Sequence, residues 1–124
     1  MAFTKLLISG LQLRAGEEKR LLPGLPVAEY DRLHLHIGGR ARTIDGLTAR
    51  VLFSTSIPGG AILSDRTVWY GESTVDHDFQ HTATVGHTGF IMSVPVVAPT
   101  LYDVVLKNTS AKELVDIYVT LLAK

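Results

Sequence analysis

Five histidines in a chain of 124 residues offer the most chemistry. His34 and His36 stand one residue apart in LHLHI, so on an extended strand their rings leave the same face, as ligation of a metal ion requires. A carboxylate a few residues on would help to complete such a site. The chain instead continues through Ile37, Gly38, Gly39 and Arg40, with no acid before Asp45. Alternation makes Leu33, Leu35 and Ile37 the core set, which puts His34 and His36 on the opposite face beside the cation Arg32. Solvent-facing strand residues are therefore expected there. The second group lies in VDHDFQHTATVGH. If Phe79 points inward, His77 and His81 share its face, and with His87 they could bind a metal or a small ligand at one end of the fold. The simpler expectation is that these rings sit near strand ends and hydrogen-bond to backbone carbonyls. No metal and no cofactor is expected.

Other reactive patterns are weaker still. No serine sits in a G-x-S-x-G elbow, and a β-rich chain has no strand-to-helix turn to build one. Gly38, Gly39, Arg40, Ala41 and Arg42 form a glycine- and arginine-rich loop without a following helix whose N-terminus would favour an anion. The triplet Asn108, Thr109, Ser110 is a glycosylation sequon, but turn chemistry explains it better. There is no cysteine, which excludes disulfides and thiolate metal sites. Trp69 and Tyr70 are adjacent, so a strand points one inward, Trp69 beside Phe53, and leaves Tyr70 at the surface as the candidate for stacking on a carbohydrate. The chain is not expected to be an enzyme.

What must position these residues is a set of strands. Turn signals recur at the roughly 8 to 12 residue spacing of sandwiches: Gly10 and Gly16, then Pro23, Gly24 and Pro26, then Gly38 and Gly39. Asp45 and Gly46 form the dipeptide favoured in a hairpin turn, and Leu47 to Ser56 follows as a strand. Pro58, Gly59 and Gly60 turn the chain into Ile62 to Tyr70, and Val75 to Val85 and Thr88 to Val97 come next. The final run, LYDVVLKNTSAKELVDIYVTLL, predicts two alternating strands joined by a polar turn at Asn108 to Glu113, paired as a C-terminal hairpin. Tyr102, Val104 and Leu106 share one side of the first. In the second, Val115, Ile117, Val119 and Leu121 form the core side. The apolar opening MAFTKLLISG is too short for a targeting segment and lacks a cleavage site, so Phe3 to Ile8 is expected as a first strand or arm, paired within the chain, with addition to a neighbour's sheet edge as the alternative. The expected fold is all-β: one antiparallel β-sandwich domain over residues 1–124, with eight or nine strands.

Twelve basic and twelve acidic residues cancel. That removes the electrostatic footprint of a nucleic-acid partner or an anionic membrane. It also removes the self-repulsion that keeps proteins apart. Two long runs, Val51 to Ser64 and Thr88 to Tyr102, contain no Lys, Arg, Asp or Glu. The second is apolar on both parities, Phe90, Met92, Val94 and Val96 against Ile91, Pro95 and Val97, and bare strands of that kind are usually covered. Candidate interface residues are accordingly Ile91, Pro95 and Val97, the outward Tyr118 and Leu122, and Phe3, Leu6 and Ile8 of the N-terminal arm.

The order of features, an N-terminal strand, RAGEEKR at Arg14 to Arg20, VAEYDRLHLHI at Val27 to Ile37 and the final strand, turn and strand, resembles uncharacterised bacterial jelly-roll domains. The resemblance implies a jelly-roll sandwich acting as a binding or structural accessory, with no substrate attached to it. The expected function is a non-enzymatic structural module working through protein contacts with its own copies in an oligomer, filament or shell. The alternatives are a carbohydrate or small-ligand binding module and a cupin-like metal enzyme around His34, His36, His77 and His81. For the last, both the carboxylate and the second cupin motif are missing.

Overall fold

Alternation of apolar and polar residues puts one face of each long strand against a shared interior, and two sheets result. In the computed structural model, residues 2–40, 42–54 and 79–124 are described. Among them nine strands form: β1 (Phe3–Leu13), β2 (Glu18–Arg20), β3 (Leu25–Pro26), β4 (Arg32–Gly38), β5 (Leu47–Ser54), β6 (Phe79–Thr82), β7 (Gly89–Pro95), β8 (Thr100–Asn108) and β9 (Leu114–Ala123). One sheet has the order β1-β9-β4-β7, and the other β2-β8-β5-β6 with β3 also on β8. Every pairing is antiparallel. No helix occurs among the described residues. The fold is an antiparallel β-sandwich of jelly-roll type. The expected strand Ile62 to Tyr70 and the Trp69 partner for Phe53 lie outside the described residues.

Leu33, Leu35 and Ile37 of β4 and Ile117, Val119 and Leu121 of β9 face Ala49, Val51 and Phe53 of β5 and Leu101, Val104 and Leu106 of β8, and all are buried. Each large member contributes roughly 1.5 to 3 kcal/mol by leaving water. Two bulges change the expected parities. Leu52 pairs with Asp103 and Phe53 with Leu101, so the ladder skips Tyr102, and Leu101 takes the core place that simple alternation gives to Tyr102. In β9 the pairing shifts from Leu13↔Leu114 to Leu11↔Ile117, with Asp116 at φ 55, a conformation that L-residues other than Asn and Asp rarely adopt. Leu114 is buried in consequence, and Val115 is half-buried outside the core set.

The C-terminal hairpin does not form. β8 belongs to one sheet and β9 to the other. Each is an interior strand, β8 flanked by β2 and β5 and β9 by β1 and β4, so both backbone edges of each are already paired. The link at 109–113 is an arch spanning the ~10 Å between sheets. Asp45 and Gly46 likewise join strands of different sheets. Gly46, at φ 85, donates its N–H to the Ala83 carbonyl, and its own carbonyl accepts from the Thr109 N–H and hydroxyl. The expected hairpin turn is thus a junction of three connections.

The arch is held by Asn108, which is fully buried. Its Nδ2 donates to the carbonyls of Leu13 (3.0 Å) and Lys112 (2.6 Å), and its Oδ1 accepts from the Ser110 N–H (2.9 Å) and hydroxyl (2.6 Å). Both donors and both acceptor sites of the amide are used. Asn108→Ala leaves several buried polar groups without partners and should lower unfolding stability by about 3 kcal/mol. Urea denaturation checks this: the midpoint falls with an unchanged slope, and a loss below about 1 kcal/mol would show the arch to be held by other contacts.

Candidate interaction surface on the four-stranded sheet

Whatever the inward parity places in the core, the outward parity presents on the sheet's other side, and cross-strand register arranges it in rows. Leu6 pairs with Thr120, Thr120 with His36 and His36 with Ile91, giving one row across all four strands. Thr4, Leu122, His34 and Ser93 form the next. Arg32 and Pro95 close one end, where Arg32 donates from Nε to the Ser93 hydroxyl (3.1 Å) and from Nη2 to the Ser93 carbonyl (3.2 Å). Two large apolar side chains stand open to solvent on this face: Leu6 is 54% exposed and Ile91 68%.

At the other end Tyr118 lies across β4. Its register partner is Gly38, and a Cβ at Gly38 would fall 2.6 to 2.8 Å from the phenol. Glycine is needed there to let the ring lie down on the sheet. The Tyr118 hydroxyl is 3.2 Å from His36 Nε2, the two rings meet edge to face at 5.3 Å, and the Arg40 guanidinium stands 5.7 Å from the tyrosine centroid. Arg40 also donates to the Ser9 hydroxyl at 3.1 Å. The result is an ordered patch of imidazole, phenol and guanidinium, with His36 standing in the row between the exposed Leu6 and Ile91.

Of the expected interface residues, Leu6, Ile91, Pro95, Tyr118 and Leu122 belong to this one face. Phe3, Ile8 and Val97 do not: each packs against the core, and Phe3 stacks on Tyr30 with centroids 6.1 Å apart. Ile8 departs because β1, which pairs within its own chain along β9, shifts register between Leu6 and Ile8; Phe3 pairs with the buried Ala123, and Val97 lies in the link between β7 and β8. The rows themselves escape sequence reasoning. Parity sends His34 and His36 outward, but nothing local places Leu6, Thr120 and Ile91 in line with them.

The histidines divide between two places. His34 and His36 lie on the outer face, whereas His81 packs on Phe90 at 4.5 Å, at the side of the sandwich where β6 and β7 run past one another. The four-stranded sheet separates the two pairs. His81 and His87 stack nearly parallel at 6.3 Å, and both nitrogens of His87 approach Thr84, Nδ1 accepting from its N–H at 3.2 Å and Nε2 lying 3.3 Å from its hydroxyl. Among the described residues no group of three or more potential ligands converges. His77 and Tyr70 lie outside the described residues. His81 has the parity expected of it, opposite Ala49, yet is exposed, β6 being the outermost strand of its sheet among the described residues.

Among the described residues, two hollows lie at the end and at the side of the sandwich. One, of about 510 Å³ at the end of the sandwich, is lined by Arg42, Asp45, Ser110, Lys112, Glu113 and neighbours. A second, of about 300 Å³, lies between the β6 and β7 edges over Phe79, His81, Met92 and Val94. On the far sheet, Arg20 Nε donates to the fully buried Asp103 at 2.6 Å, and Leu22 N–H donates to the other oxygen. That hydrogen bond, and then the carboxylate's charge, hold the Arg20 guanidinium above its ordinary range.

No protein-family model matches the chain, and neither does any curated protein sequence. Solved structures do. A low-affinity xylan-binding module, CBM86, from the gut symbiont Roseburia intestinalis superposes with a TM-score of 0.51 at 12% identity, covering 100% of this chain and 95% of that one. The C-terminal CBM6 of LamC, a marine laminarinase from Zobellia galactanivorans, gives 0.47 at 12%, with both chains fully covered. The decameric BFDV capsid protein gives 0.45 at 10%, over 99% of this chain and 96% of that one. At such identities the likeness concerns the fold, and the first match carries it.

The packing of Tyr118 on Gly38 is testable by substitution. Gly38→Ala should cost about 1 to 3 kcal/mol by forcing the ring off the sheet. In a Tyr118→Ala background the same change should cost much less, since the colliding atoms are gone. Equal losses in both backgrounds, read from urea melts of the four variants, would disprove the contact.

Proposed function

We propose that this chain is a non-enzymatic structural module that associates with its own copies through the four-stranded sheet. The observation that carries this reading is the gathering of Leu6, Ile91, Pro95, Tyr118 and Leu122 on one face, two of them more than half exposed, in a chain of zero net charge. Apolar side chains aligned on one sheet gain roughly 25 cal/mol for each Å² removed from water, and no overall charge repels an approaching copy. The wild-type chain should therefore sediment as an oligomer in the micromolar range. Leu6→Lys and Ile91→Lys, both at exposed sites, should shift it toward monomer without loss of folding. A monomeric mass for the wild-type chain at every concentration would refute the reading.

A second reading, binding of a carbohydrate or other small polar ligand, is favoured by the groove at the sandwich end, where Arg42, Asp45, Ser110, Lys112 and Glu113 offer donors and acceptors around about 510 Å³. Sugar hydroxyls suit such a mixed lining. Titration with soluble glycans, followed by the amide resonances of Ser110 to Glu113, should give saturable shifts that Lys112→Ala weakens. No shift at millimolar glycan would leave assembly as the function.

A further inference from the structure

Among the described residues, the outermost strands of the two sheets are guarded unequally. β2 is three residues long and wholly charged and exposed, and β1 carries Lys5 and three register shifts. Short length, charge and bulges are what keep an edge from pairing with other chains. β7 has none of these. Its seven residues, GFIMSVP, are uncharged and pair with β4 without a shift from Arg32↔Pro95 to Gly38↔Gly89. The bonds from Val96 N–H to the Asp31 carbonyl and from Gly39 N–H to the Thr88 carbonyl set the phase of this ladder. By antiparallel alternation, Phe90, Met92 and Val94 direct their backbone groups to β4. Gly89, Ile91, Ser93 and Pro95 then direct theirs to the free edge, which meets no strand among the described residues.

We propose that β7 pairs antiparallel with β7 of a second copy about a two-fold axis at Ile91, joining two four-stranded sheets into one. This rests on the self-association read above and adds to the sheet-face contact a second one, at the β7 edge. Pro95 has no N–H, and Arg32 already donates to the Ser93 carbonyl, so the ladder is limited at that end and Ile91 is its midpoint. Ile91 exchanges N–H and carbonyl bonds with its own copy, and Gly89 faces the partner's Ser93. A two-fold contact sets each patch against itself, so any charge would face its like; here there is none. The exposed Ile91 is covered by the partner's Ile91. On the interior side Met92, over the cleft it shares with Phe79, His81 and Val94, faces the partner's Phe90.

The chain has no cysteine, so single thiols report the register without interference. In this pairing the two Ile91 Cα atoms lie about 5.5 Å apart, within disulfide range, whereas the two Ser93 Cα atoms are roughly 14 Å apart, beyond it. Under mild oxidation, Ile91→Cys should yield a linked dimer and Ser93→Cys should not, although both side chains point to the same face. Arg32→Ala, which frees the Ser93 carbonyl, should tighten association several-fold. Equal linkage at both positions, linkage at neither, or weaker association of Arg32→Ala overturns the pairing. Wild-type oligomers that persist under any of those results leave association through the sheet face standing, whereas a monomeric wild-type chain removes both.

Discussion

The side-chain amide of Asn108 is the contact on which the sandwich depends. A jelly roll passes its chain repeatedly from one sheet to the other, and every passage frees backbone groups that a hairpin would have paired. At the β8–β9 arch one amide meets the Leu13 and Lys112 carbonyls and the Ser110 N–H while fully shielded from water. Losing them leaves the buried Leu13 carbonyl without the Asn108 donor, at a desolvation cost. The neighbouring Gly46 junction ties the arch to two more connections. With this end fixed, β8 and β9 hold the centres of their sheets, and the other long strands assemble on either side of them.

Both faces of the four-stranded sheet follow from that placement. The inward residues of β4 and β9 meet those of β5 and β8 and settle the core. The outward residues have no such partner, and their types are unusual for a solvated face: one cationic cap at Arg32, two imidazoles, a phenol laid on glycine, and exposed leucine and isoleucine. The far sheet differs. Its β8 face carries the buried Asp103 with Arg20 and Leu22 bound to it, so that surface is occupied by the chain itself. The asymmetry between a sheet satisfied within the chain and one that presents apolar side chains outward is the physical basis for assigning association to the latter.

The histidine reading illustrates how far local pattern reaches. Alternation correctly sends His34 and His36 away from Leu33, Leu35 and Ile37, because period two holds along an unbroken strand. It also gives His81 the parity of Phe79. Exposure was beyond it, since His81 lies open on β6, the outermost strand of its sheet among the described residues. Bulges defeat the same rule elsewhere. Asp116 at positive φ displaces Val115 from the core set, and the skipped Tyr102 hands its place to Leu101.

By itself the sequence determined the class of fold and the parity of most strands, because burial of one face imposes a period that apolar residues record directly. It also determined the neutral charge and the bare stretch around Ile91, on which the proposal of association rests. Which strands pair was decided only by the tertiary structure. Residues 101 to 122 look like a hairpin in isolation, yet interior strands must bond on both sides, and β1, β4, β2 and β5 supply those partners from distant parts of the chain. The same long-range register set Tyr118 upon Gly38 and drew Leu6, His36 and Ile91 into one row, contacts that no local spacing encodes.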